Sequence, residues 1–359
     1  MAENHFVQHV AMGDVHVLRL ANPPVNTLRT EIRAGLYDGM KAARAAGAKA
    51  VVIIGTGRMF CAGAEMTEFG KPRIPPSLTE VFEQFEAFPG LTVAAIHGSA
   101  LGGGLEVALA CHARVALADA NLGLPEVKRG FVPGAGGTQR LPRLIGPEAA
   151  LKIIVPGEPV KATEALKLGF IDAVIDGDLE AGAIAFARAN LGRNFTLARN
   201  RTDKIAGQDM AAFDAAAGAL LKRARGQESP KGCVEAVRAS FTLPFEEGLQ
   251  KERDLFATLV AGEQSQALRH IFFGEREAQR VPGLGRGHRP VRDRDPAAGD
   301  HRGREEGRCI GEVGLDVAVQ GGQRLGIDVP DRLAVEADRD ALLREHRDGH
   351  LDERHARHR

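Results

Sequence analysis

With 359 residues, 44% of them apolar, the chain is long enough for one large domain or two ordinary ones built on a true core. Trp is absent and Tyr occurs once, so that core rests on Ala, Val, Ile, Leu and the 16 Phe. The 47 basic side chains equal the 47 acidic ones, which speaks against a nucleic-acid or membrane binder, because such partners need a basic face. Cys61, Cys111, Cys233 and Cys309 are widely spaced and form no CxxC, as expected of reduced, buried thiols. Residues 1–9 carry no apolar signal core, and the longest apolar runs fall far short of the ~18 residues of a membrane span. A soluble, cytoplasmic protein is the resulting expectation.

The alternation at residues 15–20 predicts a strand, which Asn22-Pro23-Pro24 ends. Residues 30–46 have helical spacing and stop at Gly47. The continuous apolar run at 50–54 predicts a buried parallel strand, and 92–96 and 113–118 predict two more. Helices are expected at about 78–88, 104–111, 147–154 and 162–168. Strands alternating with helices indicate an α/β fold with crossover helices. From about residue 180 to 280 the pattern becomes almost wholly helical, with segments at 181–189, 210–225, 231–240, 244–261 and 264–280.

The composition then breaks. Residues 281–359 hold 15 Arg but no Lys, no Phe, Tyr or Met, and half of the chain's 12 His. A stretch without aromatic residues buries little, so disorder is expected there, with at most a short surface helix over 331–347. Three regions are expected: a domain over 1–190, a helical covering or linker region over 191–284, and an Arg/Asp/Gly/His-rich tail over 285–359.

Two elements carry chemistry. Gly102-Gly103-Gly104 opens an Ala/Leu helix, whose first N–H groups lack internal partners and whose dipole adds positive charge. Without a Cβ a ligand can approach that backbone closely, although a tight turn without a ligand has the same sequence. A second candidate donor is the Ala64 N–H, in the small-residue loop Cys61-Ala62-Gly63-Ala64 that follows the strand at 50–54; an ordinary strand-to-helix link would look alike. Two donors from separate loops are what an oxyanion hole needs, each worth roughly 3 kcal/mol of transition-state stabilisation. Glu106 and Glu126 are the acid/base candidates. Glutamate is usually solvated, but Glu106 lies in the first turn of an apolar helix, where burial is costly unless the group is paired or functional. Such burial raises a carboxyl pKa toward a useful range. Glu126 follows Pro125, which stiffens its loop. Gly55-Thr56-Gly57 is no dinucleotide fingerprint, because Phe60 stands where its third glycine belongs. His97 and His112 read as core or loop residues, and Cys61 has no evident base.

Asn22-Pro23-Pro24-Val25-Asn26, Phe60-Cys61-Ala62-Gly63-Ala64-Glu65, the run from His97 to Glu106, Pro125-Glu126 and the run from Pro133 to Arg140 occur in the order and spacing of one family. Over about residues 5–190 the chain resembles the crotonase, or enoyl-CoA hydratase/isomerase, superfamily. Leu243-Pro244-Phe245-Glu246-Glu247-Gly248-Leu249 and residues 268–278 resemble the linker of multifunctional β-oxidation proteins, which join a hydratase to an NAD-dependent 3-hydroxyacyl-CoA dehydrogenase. The resemblance implies a spiral of ββα repeats covered by helices, and an acyl-CoA thioester as substrate. It implies that the Ala64 and Gly103 N–H groups polarise the thioester carbonyl, with Ala62, Gly63, Gly102, Pro125 and Gly134 also lining the substrate site. Glu106 and Glu126 would hold the attacking water, Glu106 helping to activate it and Glu126 exchanging a proton with the α-carbon. No metal or redox cofactor is implied, coenzyme A being part of the substrate.

The expected activity is hydration of trans-2-enoyl-CoA to 3-hydroxyacyl-CoA. Δ3-Δ2-enoyl-CoA isomerisation, which needs chiefly Glu126, is the alternative, and a non-catalytic acyl-CoA binder is another. Either a monomer or a homo-oligomer is compatible with the family. The dehydrogenase's dinucleotide-binding strand and glycine fingerprint should begin after Pro282-Gly283-Leu284, and neither is there. Excess Arg over Lys, with Asp, Gly and His, is what out-of-frame translation of a GC-rich gene produces. A one-base correction of the coding DNA near codon 285 is therefore expected to restore ordinary protein-like sequence. Stop codons throughout the alternative frames would refute it.

Overall fold

The computed structural model describes residues 5–72 and 74–278. In chain order the strands are β1 (Val7–Met12), β2 (Val15–Leu20), β3 (Ala50–Gly55), β4 (Leu91–Ile96), β5 (Ser99–Leu101), β6 (Ala113–Leu117), β7 (Asn121–Gly123), β8 (Val160–Lys161) and β9 (Ala173–Ile175). The helices are α1 (Thr30–Ala45), α2 (Leu78–Glu86), α3 (Gly103–Ala110), α4 (Gly137–Ile145), α5 (Pro147–Ile154), α6 (Ala162–Leu168), α7 (Leu179–Ala189), α8 (Met210–Leu221), α9 (Ser229–Thr242), α10 (Phe245–Ala261) and α11 (Glu263–Ala278). These elements lie within one compact unit, Met1–Arg289.

The main sheet has the order β1-β2-β3-β4-β6-β9. The β1-β2 pair is antiparallel, and each later strand adds in parallel. In this register Leu18 lies beside Ile53, Val52 beside Val93, and Ala95 beside Val115. A second, smaller sheet has the order β5-β7-β8. The predicted α/β arrangement of parallel strands and crossover helices is thus present.

Side chains alternate across a strand, so a continuous apolar run requires cover on both faces. That is what surrounds β3. Ala50, Val52 and Ile54 join Val15, Val17, Val93, Ala95 and Val115 under Leu179, Ala183, Ile184 and Ala187 of α7. Val51 and Ile53 face the other way, into the larger core with Leu18, Ile32, Leu36, Met40, Phe82 and Phe85. Burying each such Val, Leu, Ile or Phe contributes roughly 1.5–3 kcal/mol.

The helices expected at 147–154 and 162–168 have those bounds, and the other predicted helices differ at their ends by a few residues. The sequence reading gave no element at 137–145, yet α4 is a helix, buried from Gly137 to Leu144. Its two leading glycines and internal Pro142 read locally as loop, and tertiary contacts override that propensity. The edge strand β1 and the short strands β5, β7, β8 and β9 also escaped, being too brief or too mixed to show a period. In three dimensions α4 packs against α3, α5, α9 and α10, so helices from the second half of the chain close over the first. The tail expected over 285–359 and the helix expected over 331–347 lie outside the described residues.

Candidate active site

Asn26 organises the loop that follows β3. It is fully buried, with a left-handed φ of 52°. Its Nδ2 donates to the carbonyls of Thr56, Met59 and Phe60 at 2.8, 2.9 and 3.2 Å, and its Oδ1 accepts from the Asn22 amide at 3.0 Å. Backbone bonds then stitch the loop to its neighbours: Ala62 N–H donates to the Val25 carbonyl, Leu28 N–H to Gly63, and Leu101 N–H to Cys61. The result brings Ala64 to the start of α3. A Cβ placed on Gly103 would lie 3.4 Å from the Ala64 nitrogen, and one on Gly63 would lie 2.8 Å from the Leu101 carbonyl oxygen. At position 63, which also has φ +104°, only glycine fits. Among the described residues neither the Ala64 nor the Gly103 N–H has a hydrogen-bond acceptor. Two free amides therefore stand side by side, one of them at a helix N-terminus.

Glu106 is buried in the first turn of α3. Its Oε1 accepts from the amides of Ala135 and Gly137, both at 2.8 Å. Burial raises its pKa above the ordinary carboxylate value, against the two amides and the Arg140 charge, which lower it. Glu126 stands on a single 3-10 turn, Pro125–Arg129, that Pro125 opens. Its Oε2 is buried without a hydrogen-bond partner. Burial, and then the Glu106 charge, push its pKa well above the ordinary value. Gly102, at φ +54°, passes so close that a Cβ there would be 2.8 Å from Glu126 Oε1.

These groups share one cavity of about 1370 Å³. Each residue expected to act in or line the substrate site lines it: Ala62, Gly63, Ala64, Gly102, Gly103, Glu106, Pro125, Glu126 and Gly134. Phe69, Phe131 and Phe256 form one wall through edge-on contacts, with ring centroids 5.5 to 6.0 Å apart. Gly134 packs against the Phe256 ring. The cavity thus offers an amide pair, two buried carboxyls whose pKa values burial raises to different extents, and an apolar wall, a combination suited to polarising a carbonyl and moving protons beside it.

The histidines and Cys61 behave as the sequence suggests. His112 Nδ1 lies 2.8 Å from the Thr92 hydroxyl, and His97 Nε2 lies 3.0 Å from the Gly57 carbonyl oxygen. Burial pushes the Cys61 thiol up to about 12, and its Sγ donates to the Asn26 carbonyl. Gly55 serves loop closure, since a Cβ there would be 2.4 Å from the Phe60 carbonyl oxygen.

Sequence reasoning missed a third buried carboxylate, Glu252 of α10. It accepts from the amides of Gly136 and Thr138 at 2.6 and 2.9 Å, and from the Thr138 hydroxyl. Burial, and then the Glu106 charge, raise its pKa to about 8. The available signal was its place on the helical stripe Phe245, Leu249, Glu252, Phe256, a lone acid among apolar residues. Asn26, Arg140 and the three phenylalanines were also missed, because nothing local marks them.

The family model described as enoyl-CoA hydratase/isomerase matches residues 11–204. The chain is 44% identical over 270 residues to a peroxisomal bifunctional enzyme of Danio rerio, covering 74% of this chain and 37% of that protein. It is 36% identical over 298 residues to a glyoxysomal fatty acid beta-oxidation multifunctional protein of Cucumis sativus, covering 79% of this chain and 41% of that protein. The chain therefore spans about two fifths of the length of these curated relatives. Among solved structures, an enoyl-CoA hydratase/isomerase of Pseudoalteromonas atlantica superposes with a TM-score of 0.56 at 22% identity, covering 75% of this chain and 97% of that one, which shows the shared fold. The cytoplasmic expectation is corrected by these findings: the relatives are named peroxisomal or glyoxysomal enzymes, pointing to peroxisomes. The polar composition of residues 1–9 cannot separate cytosol from peroxisome, because peroxisomal addresses are short tags read by receptors.

Replacing Asn26 with Ala removes the groups that hold the Ala64 loop and leaves buried carbonyls without donors. A loss of about 2–3 kcal/mol of stability is expected in denaturant titration. An unchanged midpoint would show that Asn26 does not organise the loop.

Proposed function

Since the chain belongs to the enoyl-CoA hydratase/isomerase family, we propose that it hydrates trans-2-enoyl-CoA thioesters to 3-hydroxyacyl-CoA in fatty-acid β-oxidation, in a peroxisomal setting like that of its named relatives. The observation that carries this reading is the pair of free amides beside two buried carboxyls in one cavity. The thioester oxygen lies between the Ala64 and Gly103 N–H groups. They draw electron density toward it, which makes C3 electrophilic and stabilises the enolate-like state. Ionised Glu106 takes a proton from water as its oxygen adds to C3. Neutral Glu126 gives a proton to C2. The environments support this division: two amides favour the charged form of Glu106, whereas the Oε2 of Glu126 has nothing to hold a charge. The same groups serve Δ3-Δ2-enoyl-CoA isomerisation, in which Glu126 alone carries the proton between C2 and C4. The Phe69, Phe131 and Phe256 wall suits an acyl chain. All of this requires only proton transfer and hydrogen-bond donors. No glycine fingerprint follows residue 281, so dehydrogenase activity is not part of the proposal.

Loss of enoyl absorbance with crotonyl-CoA tests the reading, and a chain that binds but never hydrates it would refute it. Glu126→Gln should lower kcat by roughly 10²–10⁴-fold. The pH profile of kcat/KM should be bell-shaped. Its acid limb marks protonation of Glu106 and its alkaline limb marks deprotonation of Glu126, whose pKa is raised the further. The alkaline limb should disappear in Glu126→Gln.

A further inference from the structure

The turn Gly134–Thr138 presents successive amides to opposite sides. Ala135 and Gly137 donate to Glu106, and Gly136 and Thr138 donate to Glu252. We propose that Glu252 is a positioning residue of the hydration site, anchoring one side of this turn so that its other side holds the Glu106 carboxylate in place. This rests on the hydratase reading above and extends it to α10, a helix outside the residues that the family model matches.

Three observations carry the inference. First, Glu252 is fully buried and all its hydrogen bonds go to the turn: both oxygens are used, on two amides and the Thr138 hydroxyl. Second, three of the turn's five residues are glycines. Gly134, Gly136 and Gly137 lack side chains to pack, and Gly136 has φ +101°. Beyond Glu252, its polar restraints are Glu106 itself, the Arg140 guanidinium, which donates to the Ala135 carbonyl at 3.0 Å, Gln139 Nε2, which donates to the Thr138 hydroxyl at 2.9 Å, and the Gln139 and Arg140 amides, which donate to the Gly136 carbonyl. Third, α10 is tied down independently. Phe245 at its start packs against the guanidiniums of Arg140, Arg143 and Arg199, at 4.9 to 5.2 Å from the ring centre. Glu252 therefore projects from α10 onto one side of a glycine-rich turn whose other side holds Glu106. The ionised carboxylate suits the role because it only accepts, whereas a Gln would turn an NH2 group toward the amides or the hydroxyl.

The titratable groups that interact with Glu252 are Glu106 on α3, Glu126 on the 3-10 turn and Cys233 on α9, while the Arg140 charge on α4 acts on Glu106. Two opposed effects follow from Glu252→Gln. Removing a like charge would make Glu106 easier to ionise and move the acid limb of the pH profile down. Releasing the turn takes amides away from Glu106 and moves that limb up. The proposal requires the upward shift.

The test is steady-state hydration of crotonyl-CoA by the full chain across pH. Glu252→Gln is expected to lower kcat roughly 10–100-fold, with KM changed less than about threefold, and to raise the acid limb. Glu252→Asp, which keeps an acceptor-only group, should recover part of the loss. Unchanged kcat, or an acid limb that falls, overturns the proposal. Circular dichroism checks folding. Should the Gln variant not fold, the Asp variant must itself show a lowered kcat with an upward shift of the acid limb, and the absence of either overturns the proposal. Should the unmutated chain not hydrate crotonyl-CoA, the hydratase reading fails by itself. NMR titration of the Glu106 carboxyl carbon then decides: a rise in its pKa on Glu252 substitution supports the anchoring, and no change or a fall overturns it.

Discussion

The amides of Ala135, Gly136, Gly137 and Thr138 all end on carboxylates withdrawn from water, and the site is arranged around that exchange. The start of a helix leaves N–H groups without internal partners and carries partial positive charge. A buried carboxylate lacks hydration and costs several kcal/mol unless donors replace the water. Each lack meets the other here. Hydrogen bonds to a charged acceptor contribute about 1.5–3 kcal/mol each, so four of them offset much of the penalty for Glu106 and Glu252. Glu126 has no such set, and its Oε2 is without a donor. The difference in donors, more than any difference in burial, separates a group that can hold charge from one that holds its proton.

The amide pair on the other side of the cavity depends on backbone, not on charge. Asn26 acts as a clamp on three carbonyls after β3, and glycines at 63 and 102 let the loops cross at distances no side chain would allow. The sheet supplies the rigid frame. β3 and β4 are wholly buried, and both connections at their carboxyl ends lead straight into the site. A donor pair fixed in this way needs no reorganisation when charge develops on a bound oxygen.

Closure of the site comes from the second half of the chain. Arg140 of α4 and Arg199 both pair with Glu86 of α2, whose carboxylate side chain is nearly covered, and both also lie against Phe245 at the start of α10. Breaking a buried pair leaves an uncompensated charge, which gives this junction a defined geometry even where its net stabilisation is small. From it α10 runs on to place Glu252 on the glycine turn and Phe256 on the apolar wall. The helices that cover the fold thus also supply two of its inner surfaces.

What could be read along the chain was whatever has a short-range cause. The alternation at β2, the apolar run at β3 and the spacing of α5 and α6 have their origin in local periodicity, and the structure places these elements where the sequence does. The loops that carry the amide pair, and Glu106 and Glu126, stand out in the sequence because glycine clusters and an acid in an apolar helix are locally anomalous. Helix α4 was not legible, since its glycines and Pro142 favour a loop until carboxylates from α3 and α10 satisfy its leading amides. Glu252 lay 114 residues from the hydroxyl it binds, amid Lys, Arg and Asp that suggest a solvated helix. Sequence determined which residues could do chemistry and which segments would fold alike in isolation. Tertiary structure alone decided which buried charges would meet which unpaired donors, because desolvation and its compensation exist only once distant segments have closed over one another.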